Sequence, residues 1–228
     1  SGGTSKGPGD LNVEVLKRTL DAPGVVVHGV ALKPGKPLCL AVSGDKPVVV
    51  LPGFPTSAIF TFHELVAPVI RQLAGQLEDT GEERVQATLS RRFQSVTGRR
   101  HYVMTHLIST PEGALVAYPI DKGSGSVTTW SQADGYFAIP ERVEHIADGQ
   151  TVEILPIAGA QARRCDLVII GSHCVGLDLL LSLMRERGFS SKLVAVGSKS
   201  GLEAAKGGLC DLAGVHLFDP QSGEYNHP

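Results

Sequence analysis

The feature that most constrains the fold is a change in the spacing of apolar residues, which divides the chain into three pieces. In residues 1–80, short β-type runs lie between two segments with a helical spacing, LNVEVLKRTL and TSAIFTFHELVAPVIRQLAG. Residues 82–157 carry short β-type runs at regular spacing, and residues 165–228 alternate β-type and helical runs. The sequence therefore predicts an α/β domain, a small all-β domain and a second α/β domain, with residues 158–164 as a linker.

Turn residues delimit the predicted elements of the first two pieces. The expected strands of the first piece are VVVHGVAL, PLCLAV and PVVVL, and those of the second are RVQATLSRRFQ, RHYVMTHLI, ALVAYPI, GYFAIP and TVEILPI. Pro68 should bend the long helix, because proline removes one backbone donor and its ring clashes with the preceding turn. The single tryptophan, Trp130, is expected to be either a core residue or a surface aromatic, and we assign it no cofactor role.

The third piece repeats a strand–helix pattern. CDLVIIGSH and SKLVAVGS read as strands, and a helix over GLDLLLSLMRERG should end at Gly188. A second helix, SGLEAAKGGLC, leads to a third expected strand, DLAGVHLFD. Three parallel strands with two crossover helices form part of a doubly wound sheet, which we expect to continue beyond Pro228.

Composition and charge exclude several classes of function. A net charge of −2 and a pI near 6.4 provide no broad basic field, which argues against nucleic acid as the main partner. The four cysteines lie far apart without a CxxC pair, so we expect buried reduced thiols instead of a zinc site or disulfides. With no apolar stretch long enough to cross a bilayer and no signal peptide, the sequence predicts a cytoplasmic protein without a membrane partner.

The opening SGGTSKGPGD has the composition of an anion-binding loop. Dense glycines let several backbone N–H groups converge on one phosphate, and Lys6 adds a positive charge. The next segment, LNVEVLKRTL, has a helical spacing that Asp10 would cap. The alternative is a flexible glycine-rich start without a ligand.

Two further loops belong with this one. KPGKP at 33–37 and LPGFPTSA at 51–58 punctuate strand ends or helix starts, where ligands collect in open α/β sheets. Lys6, Lys33 and Lys36 could surround an anion, or each could be a solvated surface charge. Thr56 or Ser57 could cap the long helix and present its N-terminus to a phosphate.

Together these stretches resemble a known family. GGTSKGPGD, HGVALKPGKP and LPGFPTSAIFTFHE, in this order, look like the molybdopterin-binding domain of MoeA and the gephyrin E domain, the molybdopterin molybdenumtransferases. The β piece, with GSGS at 123–126 and ADGYFAIPE at 133–141, is similar to the C-terminal β domain of that family. The resemblance implies that residues 1–80 are the C-terminal half of a three-layer molybdopterin-binding domain and residues 82–157 the family's β domain.

The function that the resemblance implies is the last step of molybdenum cofactor synthesis. Molybdate is inserted into the dithiolene of adenylylated molybdopterin with Mg²⁺, and AMP is released. The family's chains extend further on the N-terminal side, so we expect this chain alone to be inactive. The full-length protein should be a homodimer that could also meet other cofactor-synthesis enzymes.

Residues carried over from the family motifs define a candidate site. Asp10 matches an acidic residue placed for the metal or the substrate, and Lys33 and Lys36 are the expected catalytic cations. Phe54 stands where many members have asparagine. The expected substrate-binding residues are Gly2, Gly3, Ser5, Lys6, Gly7, Gly35, Pro52, Gly53, Pro55 and Ser57.

The tail resembles a periplasmic-binding-protein-like domain, of which residues 165–228 would be the N-terminal part. Ser172, Ser198 and Ser200 follow strands, where hydroxyls and N–H groups could hold a tetrahedral oxyanion such as molybdate or could simply cap helices. His173 and His216 are expected to be packing or loop residues. A second hypothesis for the whole chain is a non-catalytic MoeA-like scaffold, or a sensor of an oxyanion or small ligand.

Overall fold

The computed structural model describes residues 1–5, 7, 10–76, 84–120, 127–157 and 165–226, which form two compact units. Unit 1 comprises Ser1–Thr105 and Pro119–Ile157, and unit 2 comprises His106–Tyr118 and Ala158–Pro228. The predicted linker 158–164 and the GSGS motif at 123–126 lie outside the described residues. In the described part of the chain, no helix is long and apolar enough to cross a membrane.

Unit 1 begins with the helices and strands that carry the three loops. They are α1 (Asn12–Thr19), β1 (Pro23–His28), β2 (Leu32–Lys33), β3 (Cys39–Ser43), β4 (Lys46–Val50), α2 (Pro55–Thr61) and α3 (Ala67–Leu73). Strands β1, β3 and β4 form an antiparallel sheet with β3 in the centre. The pairing of these three strands therefore differs from the parallel order of an open α/β sheet, and the expected strand-end argument does not apply to them.

The predicted long helix is present, and it is interrupted ahead of Pro68. A π-helical turn, Phe62–Val66, joins α2 to α3, and the Ala67 N–H donates to the Phe62 carbonyl, five residues earlier. Widening the helix by one residue accommodates the missing proline donor and its ring. The expected disturbance at Pro68 is thus confirmed as a change of helical type.

Short strands make up most of the described part of residues 84–157, in keeping with the predicted small all-β domain. They are β5 (Val85–Leu89), β6 (Phe93–Gln94), β7 (Arg100–Ser109), β8 (Leu115–Pro119), β9 (Gly135–Ile139), β10 (His145–Ile146) and β11 (Thr151–Pro156). Residues 106–118, which include the end of β7 and most of β8, belong to unit 2, and the rest form the β region of unit 1. Within unit 1, β7 pairs with β9, β9 with β11, and β11 with β5, all antiparallel, and β2 joins β7 in parallel. A short helix, α4 (Val127–Gln132), was not predicted.

The core of unit 1 joins the long helix to the β region through aromatic rings. Phe60 of α2 stacks on Tyr102 at 5.1 Å between ring centroids and meets Tyr136 edge-on at 4.9 Å. Trp130 packs edge-on against Phe60 at 5.5 Å, which confirms its packing role. Aromatic pairs in these geometries gain energy beyond simple area burial.

Unit 2 contains the predicted strand–helix pattern of the tail. Its elements are β12 (Leu167–Gly171), α5 (Val175–Glu186), β13 (Ser191–Ala195) and α6 (Ser198–Lys206), and β12 and β13 pair in parallel. Gly188 follows α5 with a φ of 86°, as expected of a left-handed residue after a helix end. The core also takes Ile108 and Tyr118 from the β7–β8 hairpin, packed with Ile170 and Val194.

The third expected strand, 211–219, is not formed, and this prediction was wrong. The segment follows β12 for a short distance: Ile170 N–H donates to the Leu212 carbonyl and Ser172 N–H to the Gly214 carbonyl. One isolated parallel bridge, between Ile169 and Leu212, results. Farther on, the His216 N–H donates to the Ser198 hydroxyl, and this side-chain partner replaces a ladder bond.

The cysteines are free, as expected, but they are not uniformly buried. Cys39 is buried, Cys165 and Cys210 are half-buried, and Cys174 is exposed. Burial raises the pKa of the Cys39 thiol and, likewise, that of Cys210. The prediction of buried thiols is therefore wrong for Cys174, which precedes α5 at the surface.

Candidate functional site

A cleft of about 860 Å³ lies within unit 1, and the three predicted loops form one side of it. The loops are separated by 13 to 40 intervening residues, so their convergence is a property of the fold. We name the segments 1–10, 33–37 and 51–58 the first, second and third loop. The β region of unit 1 forms the facing wall.

The first loop is held in place by hydrogen bonds from three other segments. The Gly2 N–H donates to the Leu51 carbonyl at 2.8 Å, and Asn12 Nδ2 donates to the Gly2 carbonyl at 2.6 Å. His28 Nε2 donates to the carbonyl of Thr4, a residue that is only 2% exposed, at 2.7 Å. These bonds therefore fix the described start of the loop, residues 2–4.

The second loop is closed across its base. The Val30 N–H donates to the Lys36 carbonyl at 2.9 Å, and the Gly29 N–H donates to the Leu38 carbonyl at 2.8 Å. Gly35 has a φ of 122°, and a Cβ at this position would lie 2.5 Å from Thr61 Cγ2. Only glycine fits there, and the tight turn places Lys33 and Lys36 on the cleft wall.

The third loop leads directly into α2. The Ser1 hydroxyl donates to the Pro52 carbonyl at 3.1 Å, so the first and third loops are bonded to each other. Phe54 is the residue before α2, and its carbonyl accepts from the Ala58 N–H at 2.9 Å. Thr56 and Ser57 are buried and line the cleft.

The expected helix caps are not formed. The residue that precedes α1 is Leu11, and no side chain caps that helix, so Asp10 does not act as its cap. Neither Thr56 nor Ser57 caps α2, because the helix begins earlier, at Pro55, with Phe54 in the cap position. Proline suits the first helical position, where its missing N–H costs nothing.

Most of the predicted site residues meet in the cleft. Those that line it are Gly3, Ser5, Asp10, Lys33, Gly35, Lys36, Pro52, Gly53 and Ser57. Gly2, Gly7 and Pro55 do not line it, although Gly2 packs against Gly53, where a Cβ on Gly53 would lie 3.4 Å from the Gly2 Cα. Lys6 lies outside the described residues.

The facing wall was missed by the sequence analysis. It is formed by Phe93, Arg99, His101, Tyr102, Val103, Met104 and Ile120. The apolar run YVM in β7 was an available signal. A strand in which apolar and polar residues do not alternate is covered on both faces, so this run indicates a buried strand. Arg99 adds a third described cation to Lys33 and Lys36.

Tyr102 connects this wall to the long helix. Burial raises the pKa of its phenol, and the neighbouring Glu64 carboxylate, to which it is hydrogen-bonded, raises that pKa further. Arg100, whose guanidinium carbon lies 5.9 Å from the ring centroid, opposes the rise. The neutral phenol is therefore the form present near neutral pH.

The described residues suit Mg²⁺ only in company with a phosphate. Asp10 is the one carboxylate among the described residues that line the cleft, and no group of three or more potential ligands occurs in the described ranges. Mg²⁺ commonly binds through one or two carboxylates together with substrate phosphates and waters. Asp10 fits such a shared site, not a cage made by the protein alone.

In unit 2 the structure brings together two of the three predicted serines. Ser198 Oγ donates to Ser172 Oγ at 3.3 Å and accepts from the His216 N–H at 2.8 Å. The residues that precede α5 and α6 are Cys174 and Gly197, so these serines are not helix caps. Ser200 is the third residue of α6 and is not part of this contact. His173 pairs with Asp178 at 2.9 Å, and His216 stacks on Tyr225.

Comparison with protein families assigns three segments of the chain. Residues 1–72 match a model described as a probable molybdopterin binding domain, and residues 86–157 match the MoeA C-terminal region, domain IV. Residues 1–72 and 86–157 are MoeA-family domains. Residues 181–228 match a PBP superfamily domain. The cleft therefore lies between two MoeA-type segments of the same compact unit.

Individual relatives agree with this assignment. A molybdopterin biosynthesis protein of Methanocaldococcus jannaschii is 30% identical over 154 residues, 68% of this chain and 34% of the relative. The molybdopterin molybdenumtransferase of Haemophilus influenzae is 26% identical over 157 residues, 68% of this chain and 38% of the relative. The solved structure of a MoeA molybdopterin biosynthesis protein from Pyrococcus horikosii is 39% identical with a TM-score of 0.54, covering 66% of this chain and 35% of that one. The chain spans about a third of the length of these relatives.

Proposed function

We propose that this chain acts in molybdenum cofactor biosynthesis and that its cleft binds adenylylated molybdopterin. The observation that carries the proposal is the meeting of three distant loops, Lys33, Lys36 and Asp10 in one cleft of a MoeA-type unit. The reaction of the proposal is insertion of molybdate into the dithiolene with release of AMP. The name of its relatives, molybdopterin molybdenumtransferase, supports the transfer of molybdenum to molybdopterin.

The chemistry of the loops supports a phosphate ligand. Lys33 and Lys36 supply positive charge, and backbone N–H groups of the glycine-rich first loop supply further donors. In this proposal Lys33 and Lys36 balance the charge of the phosphate and of incoming molybdate, and Asp10 would hold Mg²⁺. Mg²⁺ supplies charge neutralisation when it is bound.

Replacing Lys36 with alanine tests the proposal. We expect Lys36→Ala to weaken binding of adenylylated molybdopterin by about 10- to 100-fold, the usual worth of a hydrogen bond to a charged group. Lys33→Ala should act in the same direction. Lys46→Ala is the matched control, because Lys46 is an exposed lysine at the start of β4, outside the cleft.

Calorimetry with the 228-residue chain measures this binding, and molybdate-dependent AMP release is measured with the intact gene product. Equal affinities for Lys36→Ala and Lys46→Ala would remove Lys36 from the site. Binding without AMP release, in an intact protein that is well folded, would favour the scaffold hypothesis instead of the transferase.

We also propose an oxyanion site in unit 2, at Ser172 and Ser198. Its support is the contact of the two hydroxyls beyond the ends of parallel strands β12 and β13, where Ser198 is only 8% exposed. Ser172→Ala should abolish molybdate binding to unit 2, whereas Ser182→Ala, an exposed position on α5, should leave it unchanged. Both substitutions are tested in a chain that also carries Lys36→Ala, which weakens binding in the cleft. Molybdate titration of these chains then measures binding to unit 2 separately from binding in the cleft.

A further inference from the structure

One aromatic side chain in the cleft is largely exposed. Phe54 lines the cleft and is 62% exposed, and no aromatic ring among the described residues stacks against it. An exposed phenylalanine alone is an ordinary surface feature. This one lies in the third loop, beside the glycines and lysines of a phosphate-type site.

The backbone presents Phe54 in a fixed position. It is the residue before α2 with φ −73° and ψ 131°, and its carbonyl accepts the first hydrogen bond of the helix. Pro55 follows it and Pro52 precedes it by two residues, which restricts the backbone further. Stacking on a ring held in this way costs little conformational entropy.

The other aromatic residues of the cleft are already packed. Phe60 has Tyr102 stacked on it and Tyr136 and Trp130 at its edges, and it is 1% exposed. Phe93 contacts His101 and Phe137 and is buried as well. Their faces are covered by protein, whereas the face of Phe54 is open to a ligand.

We propose that Phe54 is a specificity-determining residue that stacks on the planar heterocycle of a phosphate-bearing ligand. The inference rests on the proposed function, since Lys33 and Lys36 would hold the phosphate to which the heterocycle is attached. Two rings share this chemistry: the adenine of the AMP moiety and the pterin of molybdopterin. An asparagine at the same position offers amide hydrogen bonds in place of an apolar ring face.

The test is calorimetric titration with three probes: AMP, molybdopterin and inorganic pyrophosphate. Phe54→Ala should lower the affinity for the ligand whose ring stacks on Phe54. The expected decrease is about tenfold, the effect of losing one base–aromatic stack. Phe54→Tyr should retain affinity, whereas Phe54→Leu, which keeps apolar bulk without a ring, should behave like alanine. Pyrophosphate has no ring, so its affinity should depend on Lys36 and not on Phe54.

Each result has a defined meaning. If Phe54→Ala lowers the affinity for AMP alone, adenine is the ring that stacks on Phe54. If it lowers the affinity for molybdopterin alone, the pterin is that ring. Unchanged affinity of Phe54→Ala for both, with Lys36→Ala still weakened, overturns the inference and leaves the proposed function intact. A wild-type chain that binds none of the three probes overturns the proposed function and the inference together.

Discussion

At the scale of single residues, the cleft depends on residues that fix the shape of its loops. His28 is one of them: from the end of β1 it donates to the buried carbonyl of Thr4 and fixes the first loop. Gly35 is another, because no other residue fits against Thr61 at its backbone angle. Substitutions at such positions act on the site through the shape of its loops.

Two substitutions of His28 distinguish the effect of its hydrogen bond from the effect of its ring packing. His28→Leu leaves the Thr4 carbonyl without its donor, which we expect to cost about 1–3 kcal/mol of stability. The first loop should loosen, and the affinity for adenylylated molybdopterin should fall. His28→Gln, whose amide can donate from a similar position, should restore both.

Urea unfolding and ligand titration of the two variants measure this effect. Equal losses in His28→Leu and His28→Gln would mean that ring packing, and not the donor, holds the first loop.

At the scale of elements, the sequence predicted helices and strands better than their ends and partners. The spacing of apolar residues in 56–75 and 176–188 identified long helices, because burial of one face dominates their formation. The caps were wrong, since Pro55 begins α2 before the polar residues that were expected to cap it. Antiparallel pairing of β1, β3 and β4 was not visible, because strand direction depends on contacts distant in sequence.

The parallel pair in unit 2 is closed at one end by a carboxylate. The Ser190 hydroxyl and N–H donate to Asp166 Oδ2 at 2.6 and 2.8 Å, and the Asp166 N–H donates to Ser190 Oγ. These bonds lower the pKa of Asp166 from its ordinary 3.8, and the bond from the Ser190 hydroxyl has the largest effect. The ionised Asp166 carboxylate therefore stabilises the folded state above pH 3.8. This stabilisation is lost as the pH falls through the pKa that Asp166 has in the folded state.

Asp166→Asn should therefore destabilise β12 and β13 at neutral pH and have a smaller effect in acid. Amide hydrogen exchange of residues 167–171 at pH 7 and near pH 3 measures the difference. Glu203→Gln, a neutralisation at an exposed position of α6, is the control. A loss of protection that is the same at both pH values would show that the Asp166 charge plays no part.

At the scale of the whole molecule, compact units do not follow the family segments. The β7–β8 hairpin belongs to the MoeA C-terminal segment in sequence, yet residues 106–118 are part of unit 2. Lys192 Nζ donates to the Leu107 carbonyl at 3.1 Å, and Ile108 is buried with Ile170 and Val194. Sequence periodicity could identify β7 as a buried strand but not what would cover its far end.

Truncating Ile108 tests this arrangement. Ile108→Ala should destabilise unit 2 by about 2–5 kcal/mol, the usual cost of removing a buried isoleucine side chain. Leu202→Ala, at a position 45% exposed on α6, should cost much less. Chemical denaturation, together with hydrogen exchange of the β12 amides, measures the stability of both variants. Equally small effects of the two substitutions would show that the hairpin is not part of this core.

The candidate site was predicted in part. The three loops carry recognisable motifs, so Lys33, Lys36 and the glycines could be named from the sequence. The wall of Phe93, Tyr102 and Met104 could not, because its position depends on how the β region packs on α2. The role proposed for Phe54 likewise depends on its exposure in the folded chain.

The most direct measurement is the experimental structure of the chain with adenylylated molybdopterin and Mg²⁺. The account predicts phosphate oxygens within hydrogen-bond distance of Lys33 and Lys36 Nζ, with Asp10 near the metal and a heterocycle against Phe54. A ligand bound elsewhere on the chain, with Lys33 and Lys36 making no contact to it, would contradict the central claim.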